Sequence, residues 1–416
     1  MTEQNWSKTH AFRAKRLHRP ETIDALCALV ADCDHIHAVG ARHSFNGVAD
    51  SPGDLVDLEG IAPGFSIDGQ ARTVTFTAGV RYRALVRHLE AQGFALANLA
   101  SLAHLCVAGA VATGTHGSGD KIGSLATAVS GLEFVSPDGR LIRARRGDAD
   151  YEGMVVALGA LGIVARLTLD IEPSYEVRVD AFVDLPWPTQ LSEFDAVMGL
   201  GDSVSLMTSW STPAVGNAWI KTRLDSGAPR HAEALRLGAK PAPEKNPSIS
   251  DDIAKDLNPF GVPGPWSERL PHFRLDSTIG PIDQIQSEYL LPRGAASAAI
   301  ASLRAIGERI DGVLIISEIR TVRRDTLWLS PSFGHDCVAL HFTWRKEPAA
   351  VEAICRAIED IVIPLGGRPH WGKATFAGAE RLAPLYPRFE DFRRLAARFD
   401  PKGKFRNAFL DAHVFG

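Results

Sequence analysis

The chain has 416 residues, 45% hydrophobic and 23% charged, with a formal net charge of −4. That length predicts two or three domains around a large core, and the balance is that of an ordinary soluble globular protein. With no basic run and no apolar stretch of about 18 residues, the sequence carries no footprint for nucleic acid or a transmembrane helix.

The N-terminal MTEQNWSKTH lacks the apolar segment of a signal peptide. The five cysteines, Cys27, Cys33, Cys106, Cys337 and Cys355, are few, odd in number and without CxxC spacing. They predict free thiols in a reducing cytoplasm, with no cysteine-based metal site.

The first third alternates short helices and strands. Ile23, Leu26, Cys27 and Val30 recur at helical spacing and predict a helix over 21–32. A strand over 35–39 runs into Gly40-Ala41-Arg42-His43-Ser44-Phe45-Asn46-Gly47, a turn-rich segment. Residues 73–78 read as a strand, and Tyr82, Leu85, Val86 and Leu89 mark one face of the next helix. A glycine-rich segment follows over 107–119. Pro137-Asp138-Gly139 punctuates a predicted hairpin, and Gly159-Ala160-Leu161-Gly162 leads into a strand over 163–171. Residues 225–265, rich in Pro, Ala, Gly and charge, read as a surface excursion. Helical patterns near 295–310 and 349–362 flank predicted strands over 313–322 and 337–345. Phe399-Asp400-Pro401-Lys402-Gly403-Lys404-Phe405-Arg406-Asn407 is a compact polar turn, and no internal repeat is present. The class is α+β with two domains, one for a cofactor and one over the substrate, and the chain is expected to return to the first domain at its end.

Several segments carry chemistry. Glycines in 107–119 let backbone N–H groups approach an anion, although the spacing matches neither the dinucleotide nor the P-loop pattern. His43 lies just beyond a strand in a glycine-flanked turn. It either makes ordinary loop hydrogen bonds or acts as a neutral imidazole nucleophile on the methyl carbon of an oxidised flavin. His35 and His37 form an HxH pair that reads as structural. In 314–321, alternation puts Leu314, Ile316, Glu318 and Arg320 on one face. In 338–344, Val338, Leu340, Phe342 and Trp344 share one face, and Ala339, His341 and Thr343 the other. One face is packed and the other is either solvated or a small, chemically equipped surface. Lys373 follows a tight Arg368-Pro369-His370-Trp371-Gly372 segment.

Taken in order, Val39-Gly40-Ala41-Arg42-His43-Ser44-Phe45-Asn46, the segment 101–119, Gly159-x-x-Gly162-Ile163, His370-Trp371-Gly372-Lys373 and the 399–405 turn resemble the vanillyl-alcohol oxidase type of flavoprotein. The resemblance spans the whole chain and lies in the aldonolactone and alditol oxidase branch, with the bacterial alditol oxidases most similar. It implies an FAD-binding domain over 1–175 and 376–416 and a substrate-binding cap over 176–375. It further implies FAD tethered through its 8α methyl group to His43. Cofactor contacts are implied at Ala38, Val39, Gly40, Ala41, Arg42, Ser44, Ser101, Cys106, Gly109, Thr113, Gly114, Thr115, His116, Ile163 and His370. Cys106 and Ala41 depart from the family pattern, which has serine and glycine there.

The implied substrate residues are Ser101, Glu318, Arg320, Thr343 and Lys373, with His341 or Lys373 handling the hydroxyl proton. The implied reaction is oxidation of the terminal hydroxyl of linear polyols such as xylitol and sorbitol to the aldose. The hydride passes to flavin N5, and dioxygen returns as hydrogen peroxide. Small Ala100 beside Ser101 leaves room for oxygen. The expected protein is a cytoplasmic monomer without metal, nucleic-acid or membrane partners. The alternatives are an aldonolactone oxidase or dehydrogenase, a flavin-holding protein without turnover, and a metal hydrolase on His35, His37 and His341.

Overall fold

The computed structural model describes residues 3–243, 254–277 and 283–416. The helix Ile23–Asp32 starts where the Thr22 side chain accepts from the Ala25 N–H, which caps its first turn. Behind it lies a small parallel sheet in the order Arg16–His18, Asp54–Val56, Ile36–Ala38. Next comes a five-stranded antiparallel sheet, Ser66–Asp68, Thr73–Thr77, Ile163–Asp170, Val129–Val135 and Leu141–Arg145, the last two joined by the predicted Asp-Gly hairpin.

The second half builds a nine-stranded sheet. Its central order is Glu176–Pro186, Ala214–Arg223, Ser203–Thr208, Leu314–Val322, Cys337–Arg345, Gln284–Pro292. One face carries Val338, Leu340, Phe342 and Trp344 into a core shared with the helices Ala296–Ala305 and Pro348–Val362. A separate large core joins the five-stranded sheet to the C-terminal helix Phe389–Phe399 and to Phe409, Leu410 and Val414.

The polar turn at 399–407 ties the chain end back to its beginning. Asp400 accepts from the N–H groups of Lys404 and Phe405, both at 2.8 Å. Lys404 Nζ donates to the carbonyls of Val30 (2.6 Å) and Pro137 (2.7 Å), and Asn407 Nδ2 to those of Val48 (3.0 Å) and Asp50 (2.8 Å). This sequence motif is therefore a clamp across three distant segments.

Three expectations need correction. The 295–310 helix breaks at Ile306 into Ala296–Ala305 and Gly307–Asp311, and Gly307 lets the Trp210 backbone approach to where a Cβ would stand only 2.9 Å away. Leu314 does not share the face of Glu318: a register shift between Leu314 and Ile316 turns Leu314 into the core and leaves Ile315 and Ile316 exposed. The excursion over 225–265 is not all surface. Lys240–Pro241 and Gly264–Pro265 pair with Glu176–Pro186, while 244–253 fall outside the described residues.

Candidate active site

A cavity of about 500 Å3 runs between the two halves. On the N-terminal side it is lined by Ala38, Val39, Gly40, Ala41, Arg42, His43 and Ser44, where the strand Ile36–Ala38 ends. From the glycine-rich segment come Ser101, Cys106, Gly109, Thr113, Thr115 and His116. The nine-stranded sheet contributes Glu318, Arg320, His341 and Thr343, and the loop after Arg368–Pro369 contributes His370 and Lys373. Two predicted cofactor residues stand apart. Ile163 packs in a core cluster while its neighbours Gly162 and Val164 reach the cavity. Gly114 serves the turn, at φ +65° and with Pro331 Cδ 3.0 Å from where a Cβ would stand.

The 40–44 loop suits an anionic cofactor. Its conformation requires positive φ at Arg42 (59°), and among the described residues none of its five consecutive backbone N–H groups donates to another backbone group. Such a row is a nest for phosphate oxygens. Arg42 Nε is buried in the same place without a hydrogen-bond partner among the described residues, while its Nη2 lies 3.4 Å from Glu3 Oε2 and 3.7 Å from Asp57 Oδ2. Gly40 packs so closely on Cys106 that a Cβ would lie 2.7 Å from Cys106 Cβ. The Cys106 thiol itself donates to the Ala78 carbonyl at 3.2 Å, so its one proton is used within the protein. The same loop is stitched to the Lys373 loop: Phe45 N donates to Gly372 O (2.8 Å), and Asn46 Nδ2 to the carbonyls of Trp371 (2.9 Å) and Lys373 (2.7 Å). A local turn thus brings His43 near residues 330 positions away.

His43 is stacked on Trp6 with ring centroids 4.5 Å apart, and its Nε2 touches Nε2 of His104. Burial, then the neighbouring His104, holds His43 well below the ordinary imidazole value. Burial also pulls His104 down to about 4. Both shifts favour neutral rings, of which one Nε2 donates to the other.

The sheet face is built by register. Across adjacent strands Met207, Glu318, His341 and Glu288 stand in one row, and Ile316, Thr343 and Gln286 in the next. Alternation sends all of them to the face opposite the aromatic core. Glu318 Oε2 lies 2.9 Å from Arg320 Nη2 and Oε1 3.7 Å from His272 Nε2. Burial opposes ionisation of Glu318, but Arg320 and His272 outweigh it and hold its carboxyl at about 2. Lys373 Nζ donates to Gln286 Oε1 and sits 4.9 Å above the Phe45 ring. Burial draws its ammonium down to about 8 against the pull of Glu288. His370, buried and drawn down to about 3, accepts the Gly372 N–H on Nδ1.

Glu288, Gln286, Trp6, His104 and His272 were absent from the sequence prediction. The alternation of Gln284, Gln286 and Glu288 with Ile285, Ser287 and Tyr289 over 284–289 is the signal that would have found the first two. His35 lies exposed before its strand, whereas His37 is buried and lines the cavity. Among the described residues two groups bring three metal-ligating side chains together, His18–Cys33–Asp54 and His116–Glu288–His370. Neither contains His35, His37 or His341.

The comparisons agree with this geometry. A family model described as FAD binding domain matches residues 14–145, and one described as D-arabinono-1,4-lactone oxidase matches 277–413. The chain is 43% identical over 410 residues to an alditol oxidase of Streptomyces sp. (strain IKD472 / FERM P-14339), covering 98% of this chain and 97% of that one. It is 25% identical to an L-gulono-1,4-lactone dehydrogenase of Mycobacterium tuberculosis (strain ATCC 25618 / H37Rv), over 97% and 96% of the two chains. The crystal structure of cholesterol oxidase from B. sterolicum superposes with a TM-score of 0.80 at 17% identity, covering 99% of this chain and 96% of that one, a likeness of fold. This chain belongs to the FAD-binding flavoproteins of the vanillyl-alcohol oxidase type, in the branch of the alditol oxidases.

Proposed function

We propose that this chain is an alditol oxidase that converts the terminal hydroxyl of linear polyols to the aldehyde of an aldose and releases hydrogen peroxide. The observation that carries the reading is the unsatisfied polar lining of the cavity. Glu318 Oε1 and Arg320 Nε line the wall buried and without a hydrogen-bond partner among the described residues. Buried polar atoms are almost always paired, so an unpaired acceptor beside an unpaired donor on one wall suits a ligand that carries hydroxyls. The 43% identity to an alditol oxidase over nearly the full chain points the same way.

FAD, when bound, supplies the acceptor for a hydride and passes electrons to dioxygen. The residues of this chain do the rest. Gly40 to Ser44, Thr113, Thr115, His116 and His370, which line the cavity together, would hold the cofactor. Glu318 accepts hydrogen bonds from substrate hydroxyls, Arg320 and Lys373 donate, and Thr343 and Ser101 do either. His43 is the covalent anchor, supported by its neutral imidazole facing the cavity and clamped between Trp6 and His104. The two large core clusters support an FAD-binding domain over 1–175 and 376–416 and a cap over 176–375, with Val177, Trp266, Leu270, Leu327, Trp328, Leu329 and Trp371 of the cap packed into the first core. Five free cysteines suit a reducing compartment such as the cytoplasm.

A second reading, aldonolactone oxidation, is favoured by the match of 277–413 to the D-arabinono-1,4-lactone oxidase model. Anaerobic titration separates the two. Xylitol or sorbitol is expected to bleach the flavin absorbance stoichiometrically while an aldonolactone leaves it unchanged, and the reverse pattern would move the chain to the lactone enzymes.

A further inference from the structure

Glu288 lies buried in the cavity wall among the other polar side chains. It is 3% exposed, and the strand register sets it directly opposite His341. Its Oε2 lies 3.4 Å from His341 Nδ1, and its Oε1 3.4 Å from His116 Nε2 and 3.9 Å from Arg320 Nη2. On the far side of the imidazole, His341 Nε2 lies 3.2 Å from Thr343 Oγ1, a hydroxyl that lines the cavity. The ring therefore has one nitrogen turned to a carboxylate and the other to the substrate space.

We propose that Glu288 is a positioning residue for the alcohol oxidation: it accepts the Nδ1 proton of His341 and so presents an unprotonated Nε2 to the substrate hydroxyl. The inference rests on the alditol oxidase reading and deepens it by assigning the base. In the step, the substrate O–H bond breaks and its proton goes to His341 Nε2. The carbinol C–H bond breaks with its electron pair passing to the flavin, and the C=O bond forms. His341 becomes an imidazolium beside the Glu288 carboxylate, which balances its charge, as the aspartate does in serine hydrolases.

Lys373 is already engaged as a donor to Gln286, and with its ammonium drawn down only to about 8 it acts at neutral pH as a donor to the substrate oxygen. The ionisable groups around His341 are Glu288 on one neighbouring strand and Glu318 and Arg320 on the other. Lys373, His370 and His116 approach from the cofactor side, and His272 from the 254–277 segment. Burial pulls the His341 imidazole down, and Glu288 is the neighbour that most strongly pulls it back up. Burial raises the Glu288 carboxyl, and His116 and His341, each 3.4 Å from one of its oxygens, lower it below the ordinary value.

The test compares wild type, Glu288→Gln and Glu288→Asp as FAD-loaded proteins of equal flavin content. Xylitol-driven flavin bleaching is followed by stopped flow from pH 5 to 9, and the His341 ring protons by 15N-edited NMR. Glu288→Gln is expected to slow bleaching by about 10- to 100-fold, the range by which a general base contributes when only its orientation is lost. Its ascending pH limb is expected to move down by roughly one unit while the half-saturating xylitol concentration changes less than about threefold. The downfield Nδ1–H resonance of His341 should vanish in Glu288→Gln and persist in Glu288→Asp, which restores the limb. A slowed Glu288→Gln whose pH limb and Nδ1–H signal match wild type would overturn the proposal, as would unchanged bleaching. A wild type that xylitol cannot bleach would instead sink the alditol reading, and the NMR comparison would still decide whether Glu288 holds the His341 tautomer.

Discussion

Replacing Glu318 with glutamine removes one negative charge from a wall where the structure leaves a carboxylate oxygen open to a ligand. The carboxyl is held at about 2, so it is ionised at every working pH. Its Oε2 is engaged by Arg320 at 2.9 Å, whereas Oε1 is buried without a hydrogen-bond partner among the described residues. A substrate hydroxyl donating to Oε1 makes a bond to a charged acceptor, about 1.5–3 kcal/mol, against about 0.5–1.5 kcal/mol for the neutral amide oxygen that glutamine keeps; the difference of about 1–1.5 kcal/mol, at 1.36 kcal/mol per decade, is a loss in kcat/KM of about 5- to 13-fold. The assay is peroxide release with xylitol and each of its monodeoxy analogues, for wild type and Glu318→Gln. Enzyme change and hydroxyl deletion then form a double-mutant cycle. The structure predicts one analogue, lacking the hydroxyl that meets Oε1, on which the substitution costs less than about threefold because the interaction is already gone. If Glu318→Gln lost the same factor on every analogue, Glu318 would not contact a hydroxyl and the polar-wall argument would be wrong.

Other consequences follow from the same geometry. His43→Ala should leave FAD extractable by acid precipitation, whereas in wild type the flavin fluorescence stays with the denatured chain; extraction from both would end the tether. Gly159→Ala places a Cβ 2.5 Å from His37 Cε1 at φ +77°, and strain plus overpacking should destabilise the protein by about 2–4 kcal/mol, read as a clearly lower thermal midpoint. Burial raises the carboxyl of Glu359, whose Oε1 accepts from Thr375 Oγ1 and Phe376 N, both at 2.9 Å, while Oε2 has no partner. Its folded pKa lies above its unfolded one, so this group stabilises fully below the ordinary carboxylate value and loses that contribution as pH rises through the folded pKa. Glu359→Gln keeps the acceptor and should flatten the fall in melting temperature between pH 5 and pH 8; an unchanged slope would show that Glu359 does not titrate with folding.

The sequence carried the local pattern well. The strand Cys337–Arg345 agrees with its prediction at both ends, and its packed and cavity-facing sides are as alternation requires. The helix Ile23–Asp32 and the Asp-Gly hairpin are equally legible because capping and turn chemistry are local. The bulge at Leu314–Ile316 was not, since an extra residue in a strand leaves no mark when every residue around it is apolar. Glu288 escaped because Gln284–Pro292 owes its meaning to its position beside Cys337–Arg345, a pairing set by tertiary register. Trp6 and His104 reach His43 from 37 and 61 positions away, distances over which periodicity says nothing. The resemblance to a known family supplied His43, Ser101 and Lys373, and the cavity then gathered them with Glu318, Arg320, His341 and Thr343.

The measurement that bears most directly on the central claim is hydrogen peroxide release under air by the FAD-loaded protein, with xylitol, sorbitol, mannitol, glycerol and an aldonolactone in parallel. The account predicts steady release with the linear polyols, one aldose formed per peroxide, and none with the lactone. Release with the lactone alone, or polyol oxidation that proceeds with an artificial dye but not with dioxygen, would contradict it.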